Sequence, residues 1–406
     1  MLLEFKMKNV YSYKDEVVFS MFAPSNKVKN RYSDNFVSIC GFDILKTAVV
    51  VGENAGGKSN FIKGIQYFKS FFNETSKTIR SEPLSLFFGK NDEQSFYITT
   101  TNGKVVFSYN LTLCKYGIKT ESLTYKTDKK KKENNVFSYE VDYHVDTQNE
   151  EKTSLTANMK LDIQDNHSLE KTLFENIKNN SNKGLIISYL SILGIPQTTD
   201  FIKTINEIDI QKNPLDLQLS LNYFIDEKLT EDDFEIMGKP EFLEIFKLVD
   251  SSIKKIKLDK ESPFTKTIVI RTLEDGTEKK NPIFIDSTGV KNFIVFSLII
   301  YKVIYQGVTS FNDEMDSTFN PVLTSKVISY INSCETTGQF IFTTHNVFNM
   351  NLQMFLKEQM YVVGKNKTTL ESIMYSLSEF SDIRYDSNDK IYEYYMKGLL
   401  GGVDNE

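Results

Sequence analysis

The residues with the clearest chemical capacity are GENAGGKS, Gly52 to Ser59. They fit the pattern G-x-x-x-x-G-K-[ST]. They also stand where that pattern must stand, between an apolar β-branched run (TAVVV, 47–51) and a helical pattern from Ser59 to about Phe72. Glycines let successive backbone N–H groups and the helix N-terminus turn toward one anion. In such a loop Lys58 reaches the terminal phosphates of a nucleotide and the Ser59 hydroxyl ligates Mg²⁺, while Gly52, Asn54, Gly56, Gly57 and Asn60 complete the cradle. A ligand-free Gly-rich turn is the plainer reading, and the flanking strand and helix weigh against it.

Two further groups gain meaning from their order after this loop. In FNDEMDSTFNP (311–321) a strand ending in Asp-Glu puts Asp313 where it can hold magnesium through water, and Glu314 where it can orient or deprotonate an attacking water. The preceding VTSFN is more polar than such a strand usually is. In IFTTHN, His345 ends an apolar strand, at the edge where ligands bind in open parallel sheets. Only three histidines occur, and this one, following the acid pair, reads as a sensor of the terminal phosphate. A fourth stretch, IDSTGVKNF (285–293), is by itself only a polar turn entering an apolar helix.

The elements that must position these groups can be read from periodicity. LLEFKM and EVVFSM read as two strands joined by a polar turn. SFYITTT, KVVFSYNLTL and IKTESLTYK read as an antiparallel meander turning at Asn102-Gly103 and Tyr116-Gly117. From about 146 to 264 the chain is polar and charged, with helical periodicity in LEKTLFENIKNN and EFLEIFKLVDSSIKKI. This is expected to be a largely helical insertion. The strand TIVIRTL, a long helix, a strand near 308–312, a helix near 322–333, and the strands QFIFTTH and MYVVGK follow. Alternating strands and helices at both ends predict one mainly parallel α/β sheet closed around the insertion, in three spans: 1–145, 146–264 and 265–406.

Composition narrows the function classes. Three widely spaced cysteines, with no C-x-x-C pair, argue against a structural zinc site and for reduced thiols in a cytosol. The N-terminus lacks the basic start and apolar run of a secretion signal, and no apolar window approaches the roughly 18 residues of a membrane span. A soluble cytoplasmic protein without a membrane partner is expected. The net charge of −6 gives no general match to nucleic acid, and four of the 48 basic residues are arginine, leaving few bidentate readers of guanine. The tetralysine Lys129 to Lys132 reads as a solvated loop.

The order of P-loop, Asp-Glu strand and strand-ending histidine resembles the ABC-type ATPase heads of the SMC, RecF and OLD families. More narrowly, the chain resembles the AAA-type ATP-binding proteins of bacterial abortive-infection and other antiphage loci. The matching pieces are NVYSYKDEVVFSM, VVVGENAGGKSN, DSTGVKN, DEMDSTFNP, FTTHN and YSLSEFSDIRYDSNDKIYEYYMKGLLGG. The resemblance implies an ABC-type head with an antiparallel β lobe, ATP and Mg²⁺ as ligands, and a homodimer or higher oligomer that sandwiches ATP. It casts Ser287, Gly289 and Lys291 as the shortened signature S-x-G-x-K, which touches the γ-phosphate held by the opposite subunit. Ser12 is implied to approach the nucleotide. Asn320 and Gly56 depart from the family's usual residues, and Gln94 and Gln197 are both candidates for the Q-loop.

The function these pieces imply is ATP hydrolysis in the sensor or scaffold component of an antiphage defence system. The short tail after His345 resembles the ATPase family throughout, so the effector, a nuclease or toxin, is expected on another polypeptide, with 146–264 as its docking surface. The alternative is a DNA-repair or chromosome-maintenance ATPase that binds DNA directly.

Overall fold

The computed structural model describes residues 1–25, 27–72, 93–146, 154–164, 171, 184–211, 229–315, 319–384 and 388–400. The two N-terminal segments pair as β1 (Leu2–Lys8) and β2 (Val17–Ser20) at one edge of a seven-stranded antiparallel sheet. The hairpin β3 (Phe36–Ile39) and β4 (Phe42–Leu45) leads into β5 (Thr47–Gly52), which belongs to a second sheet. Beyond β1 the first sheet continues through β6 (Gln94–Thr101), β7 (Val106–Cys114), β8 (Gly117–Lys126), β9 (Asn134–Asp146) and β10 (Ser154–Ile163), each beside the one before. The meander is therefore longer by two strands than the three expected, and exposed Lys129 to Lys132 fall in its loop between β8 and β9.

The second sheet has the order β11 (Ile208–Gln211), β15 (Thr309–Asn312), β16 (Gln339–Thr344), β5, β17 (Met360–Lys365), β18 (Ser372–Ser376). All neighbours are parallel except β18. Strands buried on both faces read as unbroken apolar runs, as VVV and FIF do. Alternate residues serve opposite layers. Ala48 and Val50 join a core with the antiparallel sheet and with Phe61, Ile62, Ile65 and Phe68 of α1 (Lys58–Ser70). Val49 and Val51 join a second core. Each fully buried Phe, Ile or Val contributes roughly 1.5–3 kcal/mol, so the central sheet is held from both sides.

The span 146–264 holds helices, as expected, and also supplies strands to both sheets. It holds β10, the helices α2 (Ile186–Ile192) and α3 (Pro196–Asn206), then β11, and then α4 (Glu231–Met237) and α5 (Pro240–Phe246). The end of EFLEIFKLVDSSIKKI is not helix. It forms β12 (Ile253–Lys257), paired with β13 (Ile268–Thr272), which pairs in turn with β14 (Glu278–Pro282), with the short α6 (Pro263–Lys266) between β12 and β13. Ile253 and Ile256 have helical spacing, but a bulge between Ile253 and Lys255 lets a strand carry it. The pattern LEKTLFENIKNN lies almost wholly outside the described residues.

The second core is closed by α7 (Thr288–Gln306) and α8 (Pro321–Ser333). Among the described helices, α7 is the one long and apolar enough to cross a membrane. That apolarity is used in the core, where Phe293, Ile294, Ile300 and Val303 are fully buried. The helix starts at the Ser287 cap and stops at Gly307, in the left-handed region at φ 71°. The C-terminal α9 (Asn388–Met396) packs beside residues 347–349.

Candidate functional site

The loop after β5 is shaped by two glycines for two different reasons. A Cβ on Gly52 would lie 2.2 Å from the Val363 carbonyl oxygen of β17, so only glycine admits this strand spacing. Gly57 has φ +126°, and a Cβ there would lie 2.3 Å from Ser372 Oγ. Between them, Ala55 also has positive φ, Asn54 is exposed, and Gly56 is buried with its N–H donating to the Glu53 carbonyl. The Lys58 ammonium is buried and curls back over the loop, donating to the carbonyls of Gly52 at 2.8 Å and Glu53 at 2.9 Å.

Asp313 follows β15, and His345 follows β16, the strand lying between β15 and β5. The parallel sheet therefore brings the predicted groups to one edge. His345 Nδ1 is 3.0 Å from Lys58 Nζ. An ammonium can only donate, so Nδ1 accepts, and the ring proton sits on Nε2. That atom faces Glu314 Oε1 at 3.7 Å. Asp313 is buried, and burial pushes its carboxyl above the usual range; the hydroxyls of Thr343 and Ser59 pull it part of the way back. The polarity of VTSFN also has its reason here. Thr309 donates to Gln339 Oε1, and Asn312 Nδ2 donates to Ser310 Oγ and to the Ile341 carbonyl, so the polar side chains of a buried strand bind sideways to each other and to its neighbour.

Ser12 does approach the loop. Its hydroxyl accepts from Asn60 Nδ2 at 2.8 Å and from Ser372 Oγ at 2.7 Å. Ser287, Gly289 and Lys291 stand apart from this cluster, on α7, and their contacts are local. Exposed Ser287 Oγ accepts from Val290 N at 3.3 Å, and Lys291 Nζ donates to the Phe284 carbonyl at 3.4 Å. Asn320 caps α8, accepting from Leu323 N. Gln94 is buried in the antiparallel sheet, donating to the Asn9 carbonyl, and Gln197 lies half-exposed in the first turn of α3.

Three site neighbours escaped the sequence reading. Tyr13, fully buried, donates to the Gly57 carbonyl at 3.0 Å. Ser372 packs on Gly57 from β18. Neither carries a local signal, since both reach the loop only through tertiary folding. Thr343, two residues before His345, accepts from the Glu314 backbone amide and donates to the Asp313 carboxylate, and its place in FTTHN was a signal that could have been used.

The residues present suit a magnesium nucleotide. Ser59 and Asp313 offer hard oxygen ligands, and a desolvated carboxylate beside a hydroxyl is one that a divalent cation would compensate. Curled Lys58 and the loop's turned backbone suit phosphate. A P-loop at the edge of a parallel sheet, with an Asp-Glu pair and a histidine on the next two strands, defines a P-loop nucleotide-binding head of the ABC-type class. A family model described as "AAA domain, putative AbiEii toxin, Type IV TA system" matches residues 48–351, from β5 to just past His345, and the chain belongs to that AAA family. No curated protein matches the chain. Similar solved structures include the SMC head domain from Thermotoga maritima, at 14% identity and TM-score 0.44, covering 92% of this chain and 98% of that one. An SMC head bound to the C-winged helix domain of ScpA has 14% identity and TM-score 0.46 over 92% and 97%. An SMC head with an extended coiled coil, bound to the C-terminal domain of ScpA derived from Pyrococcus furiosus, has 13% identity and TM-score 0.41 over 97% and 99%.

Proposed function

We propose that the protein binds ATP with Mg²⁺, joins a second copy across the nucleotide, and hydrolyses it to control a separate effector in a bacterial antiphage defence system. The observation that carries the reading is the convergence of Lys58, Asp313, Glu314 and His345 at one sheet edge. Lys58 exchanges the carbonyls of Gly52 and Glu53 for phosphate oxygens. Ser59 and Asp313 would hold the cation, which when bound neutralises phosphate charge. Glu314 takes the proton of the attacking water, and His345 senses the terminal phosphate. Ser287, exposed, and Gly289, half-exposed, lie at the start of α7 with only local contacts, and suit the nucleotide of the other subunit.

The family description, which names a toxin and a Type IV toxin–antitoxin system, supports placement in a two-component defence locus. The effector docks on the span 146–264. Glu314→Gln is expected to trap an ATP-bound dimer in light scattering, and a variant that stays monomeric with ATP sinks the two-copy arrangement. Ser287→Arg is expected to keep ATP binding while losing ATP-driven dimerisation and turnover. A pull-down with and without ATP tests the effector. If it recovers no adjacently encoded protein, while the isolated protein binds DNA in a salt-dependent, ATP-stimulated way, a DNA-maintenance role replaces the defence role.

A further inference from the structure

Glu314 is held in an uncommon backbone conformation, with φ at +52° in a residue that is not glycine. Such residues persist only where their surroundings over-determine them. One of the determinants is Thr343. Its Oγ1 accepts the Glu314 amide at 2.8 Å and donates its single proton to Asp313 Oδ1. Thr343 is fully buried in β16, so this hydroxyl has no solvent to exchange with. Thr343 lies in β16 and His345 just past its end, and both side chains reach the same acid pair. His345 Nε2 lies 3.7 Å from the Glu314 carboxylate, while Thr343 holds the Glu314 backbone amide.

We propose that Thr343 is a positioning residue for hydrolysis, its one hydroxyl fixing the turn that aims Glu314 and the orientation of Asp313. The proposal rests on the ATPase reading above. Thr343 is not a catalytic residue, since the hydrogen bonds of its hydroxyl go to Asp313 and Glu314. Strand β16 thereby becomes the common mount for the sensor histidine and the acid pair. A change in the strand's position moves all three together.

The experiment compares Thr343→Val, which keeps the β-branched shape, with Thr343→Ser, which keeps the hydroxyl. Misplacement of a catalytic group by about 1 Å costs on the order of 100-fold in rate. Thr343→Val is therefore expected to lower kcat about 100-fold while the Kd for a non-hydrolysable ATP analogue stays within about threefold of wild type. Thr343→Ser is expected to restore most of the turnover. Hydrogen exchange of the 311–315 backbone, which does not depend on turnover, is expected to quicken in the Val variant and not in the Ser variant. Wild-type kcat and exchange in the Val variant overturn the proposal, as does a Ser variant as slow as the Val variant. A wild-type protein that hydrolyses no ATP sinks the ATPase reading instead, and the exchange comparison still decides whether the hydroxyl holds the turn.

Discussion

Arg271 offers the sharpest test of how the start of α7 is held. Its Nε donates to Asp250 Oδ2 at 2.7 Å, and its Nη2 donates to Asp286 Oδ1 at 3.0 Å. Nη1 lies 2.9 Å from Asp286 Oδ2, close enough for attraction though off the line of a hydrogen bond. Asp286 Oδ1 also accepts the backbone amide of Ser287, the cap of α7. The Arg271 and Asp286 side chains are each 12% exposed, whereas that of Asp250 is 32% exposed. In Arg271→Met, Asp250 turns to water at small cost, but Asp286 is left as a poorly solvated charge with the Ser287 amide and no cation beside it. Breaking a buried pair from one side costs about 3–5 kcal/mol, and partial exposure argues for the lower end, roughly 3 kcal/mol. Urea denaturation measures this loss. Asp286→Asn in the same chain removes the orphaned charge and is expected to recover 1 kcal/mol or more, read as a coupling energy of that order. Because Asp286 also anchors the Ser287 backbone, ATP-driven dimerisation of Arg271→Met is expected to weaken about tenfold in a light-scattering titration, equivalent to about 1.4 kcal/mol. A variant within 0.5 kcal/mol of wild type, on the scale of an ordinary surface change, with unchanged dimerisation, refutes the reasoning. Strict additivity of the two substitutions refutes the pairing.

Two more outcomes follow from other buried groups. Glu121 in β8 is fully buried and accepts from the amides of Ile186 and Ile187 and from the Tyr109 hydroxyl; burial pushes its carboxyl up to about 7 against these donors. The folded chain then holds a proton that the unfolded chain releases near 4.5, so the contribution of Glu121 is fully present below that pH and lost as pH rises to about 7. The loss is roughly 3 kcal/mol, and Glu121→Gln is expected to flatten the fall in urea midpoint between about pH 5 and 7; parallel profiles for the two proteins would contradict it. Gly57→Ala places a Cβ 2.3 Å from Ser372 Oγ and 3.1 Å from the Tyr13 hydroxyl, at φ +126°. Backbone strain alone costs roughly 1–3 kcal/mol. The expected result is a folded but less stable protein that no longer retains an ATP analogue in equilibrium dialysis, and undiminished binding would show that the loop tolerates side chains.

The site strands were legible because their chemistry is local. TAVVV followed by GENAGGKS needs no tertiary information, and QFIFTTH and MYVVGK were read almost to the residue, as β16 and β17. The layer beneath the P-loop was less so. Tyr13 and Ser372 meet Gly57 from opposite ends of the chain, and nothing in YSYKD or LESIM announces that. Within 146–264 the strands β11 and β12 were not legible beside the helices, for a related reason. β11 is four residues long and owes its place to pairing with β15, and the isoleucines of β12 satisfy a helical period until a bulge is allowed. In both cases a partner strand decided between two local readings.

Thr343 shows where such partner information can be recovered from sequence. In a strand buried on both faces, a polar side chain must find a partner within the protein, at a cost of about 1–3 kcal/mol if it fails. In FIFTTH the apolar run gives way to hydroxyls at the C-terminal end, where a parallel sheet opens toward its ligand. The two threonines point to opposite faces and solve different problems. Thr344 Oγ1 accepts from Asn346 N and from Asn349 Nδ2, which shapes the turn that carries His345. Thr343 turns toward β15 and holds the acid pair. Substituting the two therefore separates the functions: Thr344→Val is expected to disturb His345 and leave the Glu314 amide protected from exchange, whereas Thr343→Val does the reverse. If both variants loosen the same turn, the strand end behaves as one unit, and the division of labour between its faces is wrong.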